Sequence, residues 1–213
     1  MSDTTKIPVV SVKVLRVIIG VIAISLAPAT FFLSSKFWGL TSISISYWTD
    51  AQDIFVGSLI AVGFFLAAYN GKSGKKDFEF YLGKLACICA IIVAFFPTAN
   101  DFNSNTPTWW VESISALFST EPMVLHYIFA VTLFGCLIGL MWFFSKHAEN
   151  KGKHRRAKTY KILGALMILG MLILGLSISA DNKIFWVEAW GLSVFGITWL
   201  IAGSYEKITF LNK

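Results

Sequence analysis

Six blocks of 17 to 21 predominantly apolar residues run through this chain of 213, and they constrain its fold more than any other feature. They extend from Val14 to Leu33, Asp53 to Tyr69, Phe80 to Pro97, Val124 to Phe144, Tyr160 to Ser179 and Phe185 to Gly203. About 20 helical residues at about 1.5 Å each cover the roughly 30 Å hydrocarbon core of a bilayer. Lipid offers no partner to a peptide N–H or C=O, so each block must satisfy its own backbone as a helix. Composition agrees, because 56% of the residues are apolar and only 14% charged, more oil than a soluble domain of this size can hide. The expected fold class is all-α: a single polytopic membrane domain over 1–213, a six-helix transmembrane bundle.

Charge gives the bundle an orientation. Sixteen of the eighteen Lys and Arg residues fall at the N-terminus, the second connection and its flank, the fourth connection and the tail, leaving Lys36 and Lys183 for the other side. Such a bias predicts cytoplasmic termini and cytoplasmic basic loops in a cell inner (plasma) membrane. It also accounts for the net charge of +6 without nucleic acid, so membrane lipids are the expected partners. Lys6, Lys13 and Arg16 precede Ala27-Pro28-Ala29 as in a signal peptide, but the run from Val14 to Leu33 is long enough to span and is read as an uncleaved first helix. Trp38, Trp48, Trp109, Trp110, Trp186 and Trp190 lie near the outer ends and Trp142 and Trp199 near the inner ones, an interfacial belt.

The outer connections carry patterns of their own. Leu40 to Tyr47 alternates Ser42, Ser44 and Ser46 with Ile43, Ile45 and Tyr47, which predicts a short extended segment. Thr49 and Gln52 fit a capping box for the second helix. Thr106-Pro107, followed by Trp110, Ile114, Leu117 and Phe118 at helical spacing, predicts a short outer amphipathic helix. Ala86, Ala90 and Ala94, Gly135-x-x-x-Gly139, and Gly57 with Ala61 offer surfaces for close helix contact.

Ionisable groups in membrane segments are costly and mark candidate sites. Asp53, His126 and Glu188 fall near the outer ends of three helices. With Ser46, Tyr47, Asp101, Trp186 and Trp190 they could line an outward-facing polar pocket for a lipid or small amphiphile. Two carboxylates and an imidazole are also the donors of a divalent metal site or an acid–base pair, so a lipid hydrolase or transferase is one alternative and a small transporter or channel another. A plainer reading makes Asp53 a helix-dipole partner, lets His126 snorkel to the interface and has Glu188 hydrogen-bond an outer loop. Lys84 is expected to snorkel to the inner surface, and His147 and His154 to sit in a basic loop from Lys146 to Lys161. Cys87, Cys89 and Cys136 lack metal-ligand spacing and read as packing residues. No phosphate-binding loop or nucleophile elbow appears, and the residues leave the cofactor unknown.

Ser44-Ile45-Ser46-Tyr47, Asp53-Ile54-Phe55-Val56-Gly57, Phe96-Pro97-Thr98, His126, Arg156 with Tyr160, and Phe185-Trp186-Val187-Glu188 leading to Phe195-Gly196-Ile197-Thr198-Trp199 resemble a group of small bacterial six-span membrane proteins of unassigned activity. More remotely, the six-span plan is similar to the Frag1/DRAM/Sfk1 family, which implies a lipid-related role by analogy only. Ceramidase-type membrane hydrolases also place Asp, Ser and His near one membrane face. Their zinc site needs three histidines, whereas His147 and His154 lie on the opposite side from His126.

Overall fold

A computed structural model of the chain describes residues 11–34, 39–69, 77–98, 108–178 and 181–205. Among them run seven α-helices: α1 (Val12–Leu33), α2 (Gln52–Ala68), α3 (Phe78–Phe95), α4 (Trp109–Leu117), α5 (Pro122–Asn150), α6 (His154–Ser177) and α7 (Lys183–Ser204). A 3-10 turn, Ser44–Trp48, precedes α2. Five helices are long and apolar enough to cross a membrane. The sixth, α2, has 17 residues and is about 25 Å long. It must return the chain from the far end of α1 to the near end of α3, and the 3-10 turn makes up part of the missing length.

The six long helices form a closed ring in which α1, α2, α3, α5, α6 and α7 each pack on the next and α7 packs on α1. An even number of crossings brings the start of α1 and the finish of α7 to one end, the terminal end; the 3-10 turn and α4 lie at the other, the turn end. Leu66, Leu140, Met141, Phe195 and Trp199 fill the middle and are inaccessible to solvent. Phe64, Ile88, Val131, Leu172 and Ile173 project outward, as a lipid-facing surface requires. The protein is a multi-pass helical membrane protein.

Closest approach falls where the sequence pattern did not point. A Cβ on Gly20 of α1 would lie 2.8 Å from Gly196 O of α7, and one on Gly196 would lie 2.7 Å from Gly20 O. Backbone meets backbone there. Gly139 is shielded by Leu82, but Gly57 and Gly135 have open space around them. Ala86, Ala90 and Ala94 are fully buried as expected.

Other local expectations change. Both halves of the Ser/Ile alternation from Ser42 to Tyr47 are buried and the segment coils rather than extends, because Ser42 Oγ turns back to accept from Ile45 N at 3.1 Å. No capping box forms: α2 is capped by Ala51, and Thr49 Oγ1 accepts from Ala51 N instead. The expected short amphipathic helix is present as α4, at the turn end, seated through Val111 on Phe96 and Leu125, while Thr106 and Pro107 lie outside the described residues. The stretch from Lys146 to Lys161 is not a loop. Only residues 151–153 separate α5 from α6, in a turn where Gly152 N donates to Glu149 O and Lys153 N to Ala148 O. Gly152 takes φ +67, the left-handed conformation that glycine adopts at helix C-termini.

Gly196→Ala should lower stability by about 1–3 kcal/mol, since neither backbone can yield without opening the ring. Gly57→Ala and Gly135→Ala should stay within about 0.5 kcal/mol of wild type. Unfolding in mixed micelles reads the difference, and equal behaviour of all three would mean that the α1–α7 crossing is not tight.

Candidate functional site

At the turn end, α7 begins beneath the first connection and the two are tied by backbone. Phe185 N donates to Thr41 O at 3.0 Å. One turn further, Glu188 Oε2 accepts from Ile43 N at 2.6 Å, and Ser44 Oγ lies 3.5 Å from Oε1. Ser42 and Ser44 hydroxyls share a hydrogen bond at 3.1 Å. Glu188 therefore holds the first connection, through the Ile43 amide and through the backbone and side chain of Ser44. Beneath it is a cavity of ≈ 40 Å³ lined by Glu188, Leu26, Phe55, Leu59, Leu133 and Leu192, among others. A water molecule needs roughly 10–15 Å³ on this measure, so the space admits one small group rather than a whole acyl chain.

His126 is 1% exposed and does not snorkel. Its Nδ1 shares a 2.7 Å hydrogen bond with Phe96 O at the end of α3, a backbone group that the helix itself cannot satisfy. The Phe96-Pro97-Thr98 strap is held twice more, by Trp48 Nε1 donating to Thr98 O and by Tyr127 against Thr98 Oγ1, both at 3.1 Å. Asp53 is exposed in the first turn of α2, where it suits the helix dipole. Asp53, His126 and Glu188 thus serve different partners. Among the described residues no group of three His, Cys, Asp or Glu side chains is placed to hold a metal ion.

The remaining candidates divide in the same way. Ser46 is fully buried, and its Oγ has no hydrogen-bond partner among the described residues. Tyr47 packs edge-on against Trp48, with ring centroids 5.1 Å apart. Trp186 is largely exposed and rests on Phe185. Trp190 donates to Leu166 O at 2.9 Å across Gly170, whose missing side chain makes room for the indole. Asp101 lies outside the described residues.

The terminal end holds a polar chain that the sequence reading did not single out. Arg16 of α1 donates to Tyr69 OH at 3.0 Å; Tyr69 OH donates to Glu79 Oε1 at 3.0 Å; and Glu79 Oε2 is 2.6 Å from His147 Nε2. Four helix segments meet in this row, and Glu79 is wholly inaccessible to solvent. Arg16 also reaches Ala202 O at 3.3 Å and stacks over Phe144 at 4.7 Å from its centroid, a cation–π contact that helps to hold a buried guanidinium. Lys84 reaches over Phe80 towards the terminal end, as expected, and donates to Ala67 O in the last turn of α2. Glu79 precedes the third apolar block by one residue and Arg16 falls two residues into the first. An acid at one block edge and bases at two others, Arg16 and His147, are the signal that pairs them.

No family model, curated protein or solved structure matches this chain. Its own geometry defines the class: a helical membrane protein with a single-carboxylate cavity at one end and a buried charged chain at the other.

Glu79→Ala should destabilise the protein by about 3–5 kcal/mol, because it strands the groups it neutralises. Tyr69→Phe should cost about 1–3 kcal/mol by removing the bridging hydroxyl. The double variant should lose less than the sum. Additive losses in reversible micelle unfolding would show that the three bonds are not one network.

Proposed function

We propose that the protein lies in a cell inner (plasma) membrane with its terminal end in the cytoplasm, and that it binds the small head or chain end of a lipid or other amphiphile beside Glu188. The observation that carries this reading is an apolar cavity at the turn end with Glu188 in its wall, the Glu188 carboxylate itself being held by the Ile43 amide. The charge distribution supports it. The described residues at the turn end include the acids Asp50, Asp53, Glu112, Glu121, Asp181 and Glu188 against Lys183 alone, so a head that carries a positive charge or donates hydrogen bonds is the better fit.

Binding without chemistry fits the arrangement better than hydrolysis or group transfer, which need Asp53, His126 and Glu188 around one substrate. A conduction pathway from Glu188 to the terminal end would have to cross the packed layer of Leu140, Met141, Phe195 and Trp199, so transport draws no support from the packing.

Native mass spectrometry of gently purified protein should show an amphiphile bound to wild type. Leu59→Phe, which fills the cavity, should reduce its occupancy several-fold, and Glu188→Gln, which keeps an acceptor for Ile43 N but removes the charge, should reduce it for cationic heads. Unchanged occupancy in Leu59→Phe would sink the cavity as the site. For orientation, cysteine placed at Ser119 should react with a membrane-impermeant maleimide in intact cells, and cysteine at Lys158 only after permeabilisation. The reverse labelling would overturn the assignment.

A further inference from the structure

We infer that the terminal end contains a built site for a phosphate-bearing anion, independent of the cavity at Glu188. Where α5 turns into α6, a cavity of ≈ 40 Å³ is lined by Arg16, His147, Lys153, Arg156, Tyr160 and Tyr205, among others. It adjoins a wider recess of ≈ 550 Å³ that shares Lys153, Arg156 and Tyr205 and adds His154 and Arg155. Among the described residues no acid lines either space. Of the described carboxylates at this end, Glu79 is bound to Tyr69 and to His147 of the cavity wall, and Glu149 to Lys161 at 2.6 Å.

A positive-inside bias explains the sign of this loop but not its form. Topology asks only for cations in the aqueous loop, whereas here they surround a concavity. Arg16, 5% exposed, is fixed in its wall by Tyr69 and Phe144, and the Arg156 guanidinium lies 3.6 Å over the ring of Tyr205. Both guanidinium groups are thereby oriented before any ligand arrives, and guanidinium suits phosphate oxygens. The start of α6 adds to the case. It has no side-chain cap and no acid in its first turn, which instead carries His154, Arg155 and Arg156. Cations are unfavourable at the positive end of a helix dipole unless an anion joins them. The glycine turn at 152 leaves no slack between the helices, so Lys153 and Arg156 stay at the mouth of the cavity.

A phosphate monoester or diester has the charge and the oxygens to fill this site, and it could arrive as the head of an anionic lipid or as a free phosphate. The full-length protein in neutral detergent separates these sources. One arm offers phosphatidylglycerol against phosphatidylcholine at equal mole fraction and measures retained lipid by native mass spectrometry. The other titrates inorganic phosphate and pyrophosphate and follows thermal unfolding. Retention of phosphatidylglycerol identifies the lipid source, and stabilisation by pyrophosphate alone identifies the free one; either supports the site. Lys153→Gln with Arg156→Gln should weaken the positive arm on the order of tenfold. Lys146→Gln with Lys158→Gln removes the same charge from the same end outside both spaces and should change it less than about twofold. Equal losses in the two double variants, or no preference for either phosphate probe in wild type, would overturn the inference.

Discussion

Hydrocarbon cannot hydrogen-bond, and everything else in this molecule is arranged around that fact. Each spanning segment closes its peptide groups on itself, which removes them as a means of joining one helix to another. The helices are instead joined by apolar packing and by polar contacts that gather at the two ends, where the last carbonyls and first amides of each helix are open, with Trp190 on Leu166 O falling within the spans. At the turn end these contacts use backbone: Ile43 N on Glu188, Phe185 N on Thr41 O, and His126 on Phe96 O. At the terminal end side chains meet side chains, from Arg16 through Tyr69 and Glu79 to His147. The two ends therefore differ in kind as well as in charge, one a strap held by single acceptors and the other a row of ionisable groups.

Much of the fold was legible because the lipid constraint acts on length and hydropathy, which are local. The six apolar blocks became helices, and the outer amphipathic segment became α4. Their limits were less legible, since an apolar block stops where lipid stops and a helix need not. Thus α5 runs on to Asn150 and α6 starts at His154, turning an expected loop into a helical hairpin. Pairings across the ring were out of reach for a different reason. Nothing local distinguishes Gly20 and Gly196, whose backbones touch, from Gly57 and Gly135, which face open space.

The candidate site was partly legible. Glu188 stood out as a carboxylate between tryptophans, and the structure gives it a loop to hold and a cavity to border. His126 stood out as an ionisable group in a membrane segment, yet its burial is accounted for by backbone hydrogen bonds to the end of α3. Glu79 escaped notice because it sits at the margin of a block, where an acid looks like an ordinary loop residue until Tyr69 and His147 are found beside it. Position along the chain says how deep a group lies; only the ring says what it faces.

The crossing of Gly20 and Gly196 also bears on how the protein is made. It joins α1 to α7, so α1 must wait in the bilayer until α7 has been inserted before it finds this partner. During that interval the Arg16 side chain lacks Ala202 O and has Tyr69, Phe144 and the membrane surface to turn to. Contacts this distant in sequence close late, and a chain stalled before α7 would present an open groove along α1 to whatever quality control surveys the membrane.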